Sequence, residues 1–336
     1  MKKVIFSMCL AALAIGCAKT EVQFEETDLI SFAPVAKVAT KAAISGANFN
    51  TTEDLKVFAN AVTQVKNAEG NVTGLLTNNN GIIYEEYLKN ASFTRTEVTD
   101  PYTGSYYWPN VKALLFAGYV NAGSASASID SPVETMTISG YTQPDSGNND
   151  LMYFFNRGTN NFGFTKRSAN IDVVMNHACA WLVFNIKGNG VTGKANTTWK
   201  IHELQVMNIS KTGTATLTSS SVVWDETDKT KEYEIYKAVN ETQAQTLSTS
   251  AFTPCPTNCI VIPQEPTELY IKYSYVSQEG LAPIVEETTV PLTVTGSTEW
   301  EAGKKYTYDV TVTATAIKIM PTSSDWTPGT TTTPTI

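Results

Sequence analysis

The sequence predicts an all-β chain of sandwich or Greek-key architecture, on three observations. Short segments alternate apolar with polar residues and are cut at roughly regular spacing by Gly, Pro and Asn. Sustained 3.6-residue periodicity is missing apart from fragments. The composition leans to Thr, Ser, Asn and Tyr, with charged residues at 17% against the roughly 25% of average soluble domains. These residues form strands and polar turns rather than helices. With 336 residues, 42% of them hydrophobic, there is material for two packed domains of ordinary size.

The chain opens with a leader. Lys2 and Lys3 precede an apolar run over residues 4–15 that is too short to span a bilayer as a permanent helix. Residues 1–16 therefore read as a signal peptide. The ending Ala14-Ile15-Gly16-Cys17 resembles the lipobox of bacterial lipoproteins, although Leu is commoner at the position of Ala14. It implies a lipoprotein precursor acylated (palmitate among the chains) at Cys17 and held in the outer membrane. A diacylglyceryl thioether plus an N-acyl chain exceeds the two signals that stable anchoring needs. Residues 17–28, with Glu21, Glu25, Glu26 and Asp28, read as a flexible tether.

The first domain is expected over residues 29–168. Leu55-Lys56-Val57-Phe58-Ala59 opens its first convincing strand, and Asn78-Asn79-Asn80-Gly81 marks a hairpin, because Asn and Gly tolerate positive φ. The run Ala113-Leu114-Leu115-Phe116-Ala117 suits a strand buried on both faces. The second domain is expected over residues 169–320, with the junction near 167–171. In Leu269-Tyr270-Ile271-Lys272-Tyr273-Ser274-Tyr275 the odd positions make one apolar face. Tyr306, Tyr308, Val310 and Val312 alternate with polar neighbours, and the phase flips between Ala316 and Ile317, which predicts a bulge or a strand that ends and restarts. Residues 321–336 read as a Thr/Pro-rich tail in which only Trp326 looks able to dock.

Chemistry is sparse. Two histidines exclude a multi-histidine metal centre, and a net charge of −8 without a basic patch argues against nucleic acid. His202-Glu203-Leu204-Gln205-Val206 has Val where a zinc-protease helix needs its second His. Gly190-Val191-Thr192-Gly193-Lys194-Ala195 is too short for a phosphate loop and reads as a turn. Glu85-Glu86 and Glu286-Glu287 are adjacent on strands, so each pair splits between two faces and makes no glycosidase pair. No GxSxG elbow occurs. The chain is expected to be no enzyme, with no metal and no cofactor. Beyond Cys9 and Cys17, three cysteines remain: Cys255 and Cys259 could close a small loop as a disulfide, and Cys179 reads as a buried thiol.

Several motifs in order resemble those of the fimbrillins, lipoprotein subunits of type V pili. They are Tyr107-Trp108-Pro109 before an apolar strand, Asn149-Asp150-Leu151-Met152-Tyr153, the stretch from Asn176-His177 to Asn185-Ile186, and Val261-Ile262-Pro263-Gln264. Trp300-Glu301-Ala302-Gly303-Lys304-Lys305-Tyr306 and the closing Asp325-Trp326 complete the set. The resemblance implies two tandem transthyretin-like (Greek-key) β-sandwich domains and a surface fimbria built head to tail from pilus subunits. It implies adhesion to a host or bacterial surface ligand. It further implies that a trypsin-like protease cuts after a basic residue and removes the first strand. Lys41 is the preferred site and Lys37 the second, although the family often has Arg there. The removable strand would carry Ile30, Phe32, Val35 and Val38; the alternative is that residues 29–38 stay in place, as in an anchor subunit.

Loss of a strand exposes unpaired backbone groups and an apolar trench, which a strand from a neighbour can refill. Four or five buried side chains at roughly 1.5–3 kcal/mol each would contribute ~6–15 kcal/mol as an upper bound. Such exchange is heterologous and propagates into an open filament. Ile317, Ile319 and Met320 are the candidate donor residues. A different class is a surface glycan-binding lipoprotein of a polysaccharide-uptake system, with Tyr102, Tyr106, Tyr107 and Trp108 stacking on sugar rings.

Overall fold

The computed structural model describes residues 29–35, 53–130, 132–145, 147, 149–167, 169–189, 198–240, 242–255, 259–276, 280–313 and 316–326. The leader, the tether, Cys17, Lys37, Val38, Lys41 and the turn at residues 190–195 lie outside them. Among the described residues the protein is all-β, with a single 3-10 turn at Thr159–Asn161. In chain order the principal strands are β1 (Leu29–Val35), β2 (Leu55–Val62), β3 (Tyr84–Phe93), β4 (Tyr102–Tyr107), β5 (Ala113–Val120), β6 (Ser126–Asp130) and β7 (Thr135–Thr142). There follow β8 (Met152–Asn156), β9 (Ile171–Val174), β10 (Asn176–His177), β11 (Ala180–Gly188), β12 (Thr198–Ile209), β13 (Thr212–Thr218) and β14 (Val222–Thr227). The last are β15 (Lys231–Lys237), β16 (Glu268–Val276), β17 (Ile284–Pro291), β18 (Lys304–Val312) and β19 (Ile317–Asp325).

In the first sandwich a three-stranded sheet, β9-β1-β4, shares one core with the five-stranded sheet β10-β8-β5-β2-β3. The period of two along a strand explains why β5 is buried throughout. Leu114, Phe116 and Val120 enter this core, whereas Ala113, Leu115, Ala117 and Tyr119 turn to apolar clusters on the other face of the sheet. The second sandwich joins β11-β18-β19 to β15-β12-β16-β17. Leu182, Phe184, Ile201, Leu204, Ile271 and Tyr308 fill its core, and Trp300 Nε1 donates to Tyr308 Oη at 2.7 Å. β18 presents Tyr306, Tyr308, Val310 and Val312 inward, as their alternation predicts.

The sandwiches are not beads on a string. Strands β6-β7 from the first half and β13-β14 from the second form one four-stranded sheet. Its apolar face (Met136, Ile138, Ala215, Leu217) packs with Phe58, Tyr119 and Tyr153 of the first half and Trp181, Ile260 and Ile262 of the second. One buried amide ties the seam, and a second braces the shared sheet from within the second half. Gln143 Nε2 donates to the Ile260 carbonyl at 2.8 Å, and Gln264 takes the Ser210 N–H at 2.9 Å while donating to the Ser210 carbonyl at 3.1 Å.

Two expected boundaries move. The junction at 167–171 falls too early, because β9 pairs with β1 and Ile171, Val173 and Met175 belong to the first core. The tail expected from residue 321 instead continues β19 to Asp325, paired with β18 from Val312↔Ile317 to Lys304↔Asp325. Thr and Ser are at home in an edge strand, and Pro321 is tolerated there because an edge has N–H positions with no partner to lose. The phase flip is a strand that ends and restarts: β18 stops at Val312, the Thr313 N–H donates to the Ala316 carbonyl at 2.9 Å, and β19 begins at Ile317.

Candidate functional site

The residues of β1, Leu-Ile-Ser-Phe-Ala-Pro-Val, alternate in a way that sends Ile30 and Phe32 to one side. Both are fully buried. Leu29, Ser31, Ala33, Pro34 and Val35 are half-buried, so among the described residues two of the four or five suggested positions are fully buried, Val38 lying outside them. Two fully buried side chains contribute ~3–6 kcal/mol rather than the larger figure. Phe32 sits in a ring of phenylalanines. It meets Phe93 and Phe116 edge-on at 4.9 and 5.2 Å between centroids, and Phe154 at 5.9 Å. Edge-to-face pairs add to the gain from burial alone. Gly118 of β5 makes room for this ring: a Cβ there would stand 2.5 Å from Phe154 and 2.6 Å from the Lys56 carbonyl.

The ladder around β1 carries the main structural point. β1 runs parallel to β9, with Phe32 opposite Ile171 and Val35 opposite Val174, and antiparallel to β4, with Phe32 opposite Tyr102. It is the middle strand of its sheet. Apart from a Thr94–Thr103 bridge to β4, no other ladder among the described residues holds either neighbour. Ser31 Oγ donates to Asn170 Oδ1 at 2.5 Å and fixes the start of β9 against it. Without β1, β4 and β9 would face each other across an open slot floored by Phe93, Phe116 and Phe154.

At the far end of the chain, β19 pairs with β18 alone and so forms an edge. Ile317 and Ile319 are half-buried against the second core, whereas Met320 is 57% exposed. Adjacent residues of a strand point to opposite faces, so Met320 cannot fill a trench together with Ile319, and the three-residue donor face reduces to Ile317 and Ile319. The strand ends on Trp326, which is buried as its aromatic character suggests. Its indole stacks on His177 at 3.8 Å and 9° and leans on Trp181 at 5.7 Å, and the Trp326 backbone N–H donates to the Gly303 carbonyl at 2.7 Å. His177 in turn bonds Asp150 through Nδ1 at 2.6 Å.

The remaining candidates resolve as structure. Cys255 and Cys259 are free thiols, so the disulfide that their spacing allows is not formed; the Cys255 N–H bonds the Phe184 carbonyl while Cys259 faces Leu182 across β11. Burial pushes the Cys255 thiol up to about 12 and raises those of Cys179 and Cys259 further, which makes all three poor nucleophiles. Tyr102 and Trp108 are buried, Tyr102 under the Arg95 guanidinium and Trp108 edge-on to Phe116, which withdraws two of the four aromatics from sugar rings, while Tyr106 and Tyr107 are half-buried. His202 lies on strand β12 and bonds Ser274 Oγ at 2.8 Å. Among the described residues no three His, Cys, Asp or Glu side chains gather into a metal site. A cavity of about 490 Å³ between Gln64, Val72, Phe162, Phe164, Lys166 and Arg167 is one the sequence did not announce. The phenylalanine ring around Phe32 was also hidden. Its signal was the unbroken apolar run of β5, which marks a strand with a core on each side but not which residues meet.

The profile of a family described as Fimbrillin-like matches residues 40–326. Among solved structures, a fimbrial protein from Bacteroides vulgatus is similar to the chain with a TM-score of 0.59 at 17% identity, over 89% of this chain and 99% of that one. The tip fimbrial protein Mfa3 from Porphyromonas gingivalis, truncated at its C-terminus, is similar over 89% of this chain and 98% of its own, with a TM-score of 0.35 at 10% identity. No curated protein sequence matches the chain. At these identities the likeness to the Bacteroides vulgatus protein is one of fold.

Proposed function

The chain belongs to the Fimbrillin-like family, and from that premise we propose that it is a structural subunit of a cell-surface fimbria, assembled by protease-triggered strand exchange and contributing to adhesion. The observation that carries the reading is the position of β1, the middle strand and chief ladder partner of both its neighbours. The extent of the family match supports it too: the shared part begins at residue 40, beyond β1. In this reading the precursor is exported, lipidated at Cys17 and held at the outer membrane. Cleavage at Lys41, with Lys37 as second choice, frees residues 29–38. The slot between β4 and β9 then offers backbone groups on two edges and a phenylalanine-floored pocket, and an extended segment of another subunit fills it by β-augmentation. Ile317 and Ile319 of β19 repeat the spacing of Ile30 and Phe32. Donation from one subunit to the next is head to tail, so it grows a filament rather than a closed dimer. We read the two sandwiches as transthyretin-like Greek-key domains, and the role as structural rather than enzymatic.

Limited trypsin digestion of the purified chain, followed by electrophoresis without boiling, tests this. A ladder of heat-sensitive multimers that appears with the cut and is abolished by Lys41→Ala together with Lys37→Ala supports the reading. A chain that loses β1 and stays monomeric overturns it.

A further inference from the structure

We infer that β1 and the C-terminal strand β19 are coupled through β9 and His177, so that departure of the first strand unlatches the last. The functional meaning rests on the strand-exchange reading; the coupling itself is a property of the single chain. β1 holds β9 in parallel register up to Val35↔Val174. Three residues beyond Val174 comes His177, reached through the buried Met175 and the short strand β10. His177 is the platform of Trp326: the two rings are stacked at 3.8 Å and 9°. Trp326 follows directly on β19.

The latch matters because β19, though laddered along its whole length, is held to the sheet on one side only. It has one ladder partner, its inner face offers half-buried Ile317 and Ile319, and Thr322 to Asp325 are exposed. Trp326 is the one side chain of this segment that is buried, and it is buried partly against the first sandwich's His177–Asp150 pair. When β1 leaves, β9 loses its ladder. Ile171 and Val173 lose Ile30 and Phe32 as core neighbours, and among the described residues its backbone keeps the Asn156 Nδ2 donation to the Asp172 carbonyl at 2.7 Å. His177 keeps its pairing opposite Met152 of β8 and its bond to Asp150, so freedom in β9 passes along three residues to the imidazole under Trp326 against those two ties. A subunit with β1 in place therefore keeps its own last strand, and one whose slot is open releases it. Coupling of this kind is reciprocal: loosening Trp326 must loosen β1 by the same factor.

Hydrogen–deuterium exchange on the full chain tests it without any polymer. In Phe32→Ala, amides of residues 317–326 should exchange about tenfold faster, although β1 and β19 do not pair, while those of β5 keep their protection and report that the sandwich is folded. Trp326→Ala, at the end of a strand, should raise exchange over residues 171–177 and speed tryptic release of β1 by a similar factor. In His177→Ala, the further change Phe32→Ala should no longer alter β19. Unchanged β19 exchange in a folded Phe32→Ala chain, or unchanged β9 exchange in Trp326→Ala, overturns the coupling. If trypsin yields multimers but β19 is indifferent to β1, assembly stands and the latch falls; if β19 responds but no multimers form, the latch stands and the assembly reading falls.

Discussion

Each sandwich lays its opening strand parallel to a late one, yet the two are held very differently. In the first, β1 aligns Phe32–Val35 with Ile171–Val174, and the strands on either side depend on it. In the second, β11 aligns Trp181–Gly188 with Lys305–Val312, and β18 goes on to pair with β19. The other edge of β11 carries the short strands Cys259–Val261 and Thr253–Pro254. β11 also follows described strands in the chain, whereas β1 is the first described element. Taking β11 out would require two cuts and would leave β18-β19 as a sheet. Taking β1 out dissolves its sheet, since among the described residues β4 and β9 have no other ladder than the Thr94–Thr103 bridge. One strand is thus built into a scaffold, while the other is the strand on which the rest of its sheet depends; in the proposed reading that makes β1 a plug.

The largest expected effect breaks that symmetry directly. Phe32→Ala should cost about 3–5 kcal/mol, as should Phe184→Ala in the second core, each measured by urea denaturation. Only the first loss should be repairable from outside. A synthetic peptide of residues 29–35 added to the trypsin-cut chain should raise its midpoint in proportion to the logarithm of peptide concentration. A peptide of residues 180–188 should do nothing for Phe184→Ala. Rescue of both, or of neither, removes the distinction between plug and scaffold.

A smaller effect is expected at the seam. Gln264→Leu leaves the Ser210 N–H and carbonyl without their partner in a buried setting, at about 1–3 kcal/mol. Gln143, by contrast, joins halves that share a sheet through the Ile260 carbonyl, so Gln143→Leu should separate their unfolding into two transitions in calorimetry. A single cooperative transition that merely shifts would show that the shared sheet, not the amide, makes the halves melt together.

How much of this was legible in the sequence follows from what alternation can and cannot encode. The all-β class, the doubly buried β5, the inward face of β18, the restart at Ile317 and the docking of Trp326 could be read, because period-two patterning and isolated aromatics report burial locally. The burial of Ile30 and Phe32 was legible for the same reason. Which strands flank β1 was not, since pairing with β4 and β9 joins positions about seventy and a hundred and forty residues away, and nothing local in Ile171-Asp172-Val173-Val174 names its partner. The junction went astray on the same point: β9 looks like the start of a second set of strands until its ladder to β1 is seen. Met320 was counted for its apolar character without its phase, and the 255–259 spacing left a disulfide open because it permits a bond but does not require one.

Alkaline titration offers a graded comparison of the two cores. Burial pushes Tyr102, with the Arg95 guanidinium partly opposing, and Tyr153 up to about 12. An unfolded tyrosine ionises near 10, so the unfolded chain loses these protons first. The contribution of each to stability is whole below pH 10 and declines as pH rises from there to about 12. Tyr233 and Tyr308 of the second sandwich are raised further still, so its decline should continue to higher pH. Melting temperature measured from pH 8 to 12 checks this, with Tyr102→Phe flattening the slope for the first sandwich and leaving that of the second alone.

The finest comparison lies within β19. Ile319 faces the second core and Met320 faces solvent, so Ile319→Ala should cost about 1–2 kcal/mol and Met320→Ala no more than about 0.5 kcal/mol. The same ranking should govern multimer formation after trypsin if the inner face of β19 is what a neighbour's slot receives. Phe32 and Ile30 occupy that slot two residues apart, and Ile317 and Ile319 match the spacing, whereas Met320 would turn towards the solvent side of the receiving sheet. Multimer yield should therefore fall in Ile319→Ala and hold in Met320→Ala. The reverse ranking would mean that the donor enters with its opposite face inward, and that the face β19 shows its own subunit is not the face it offers to the next.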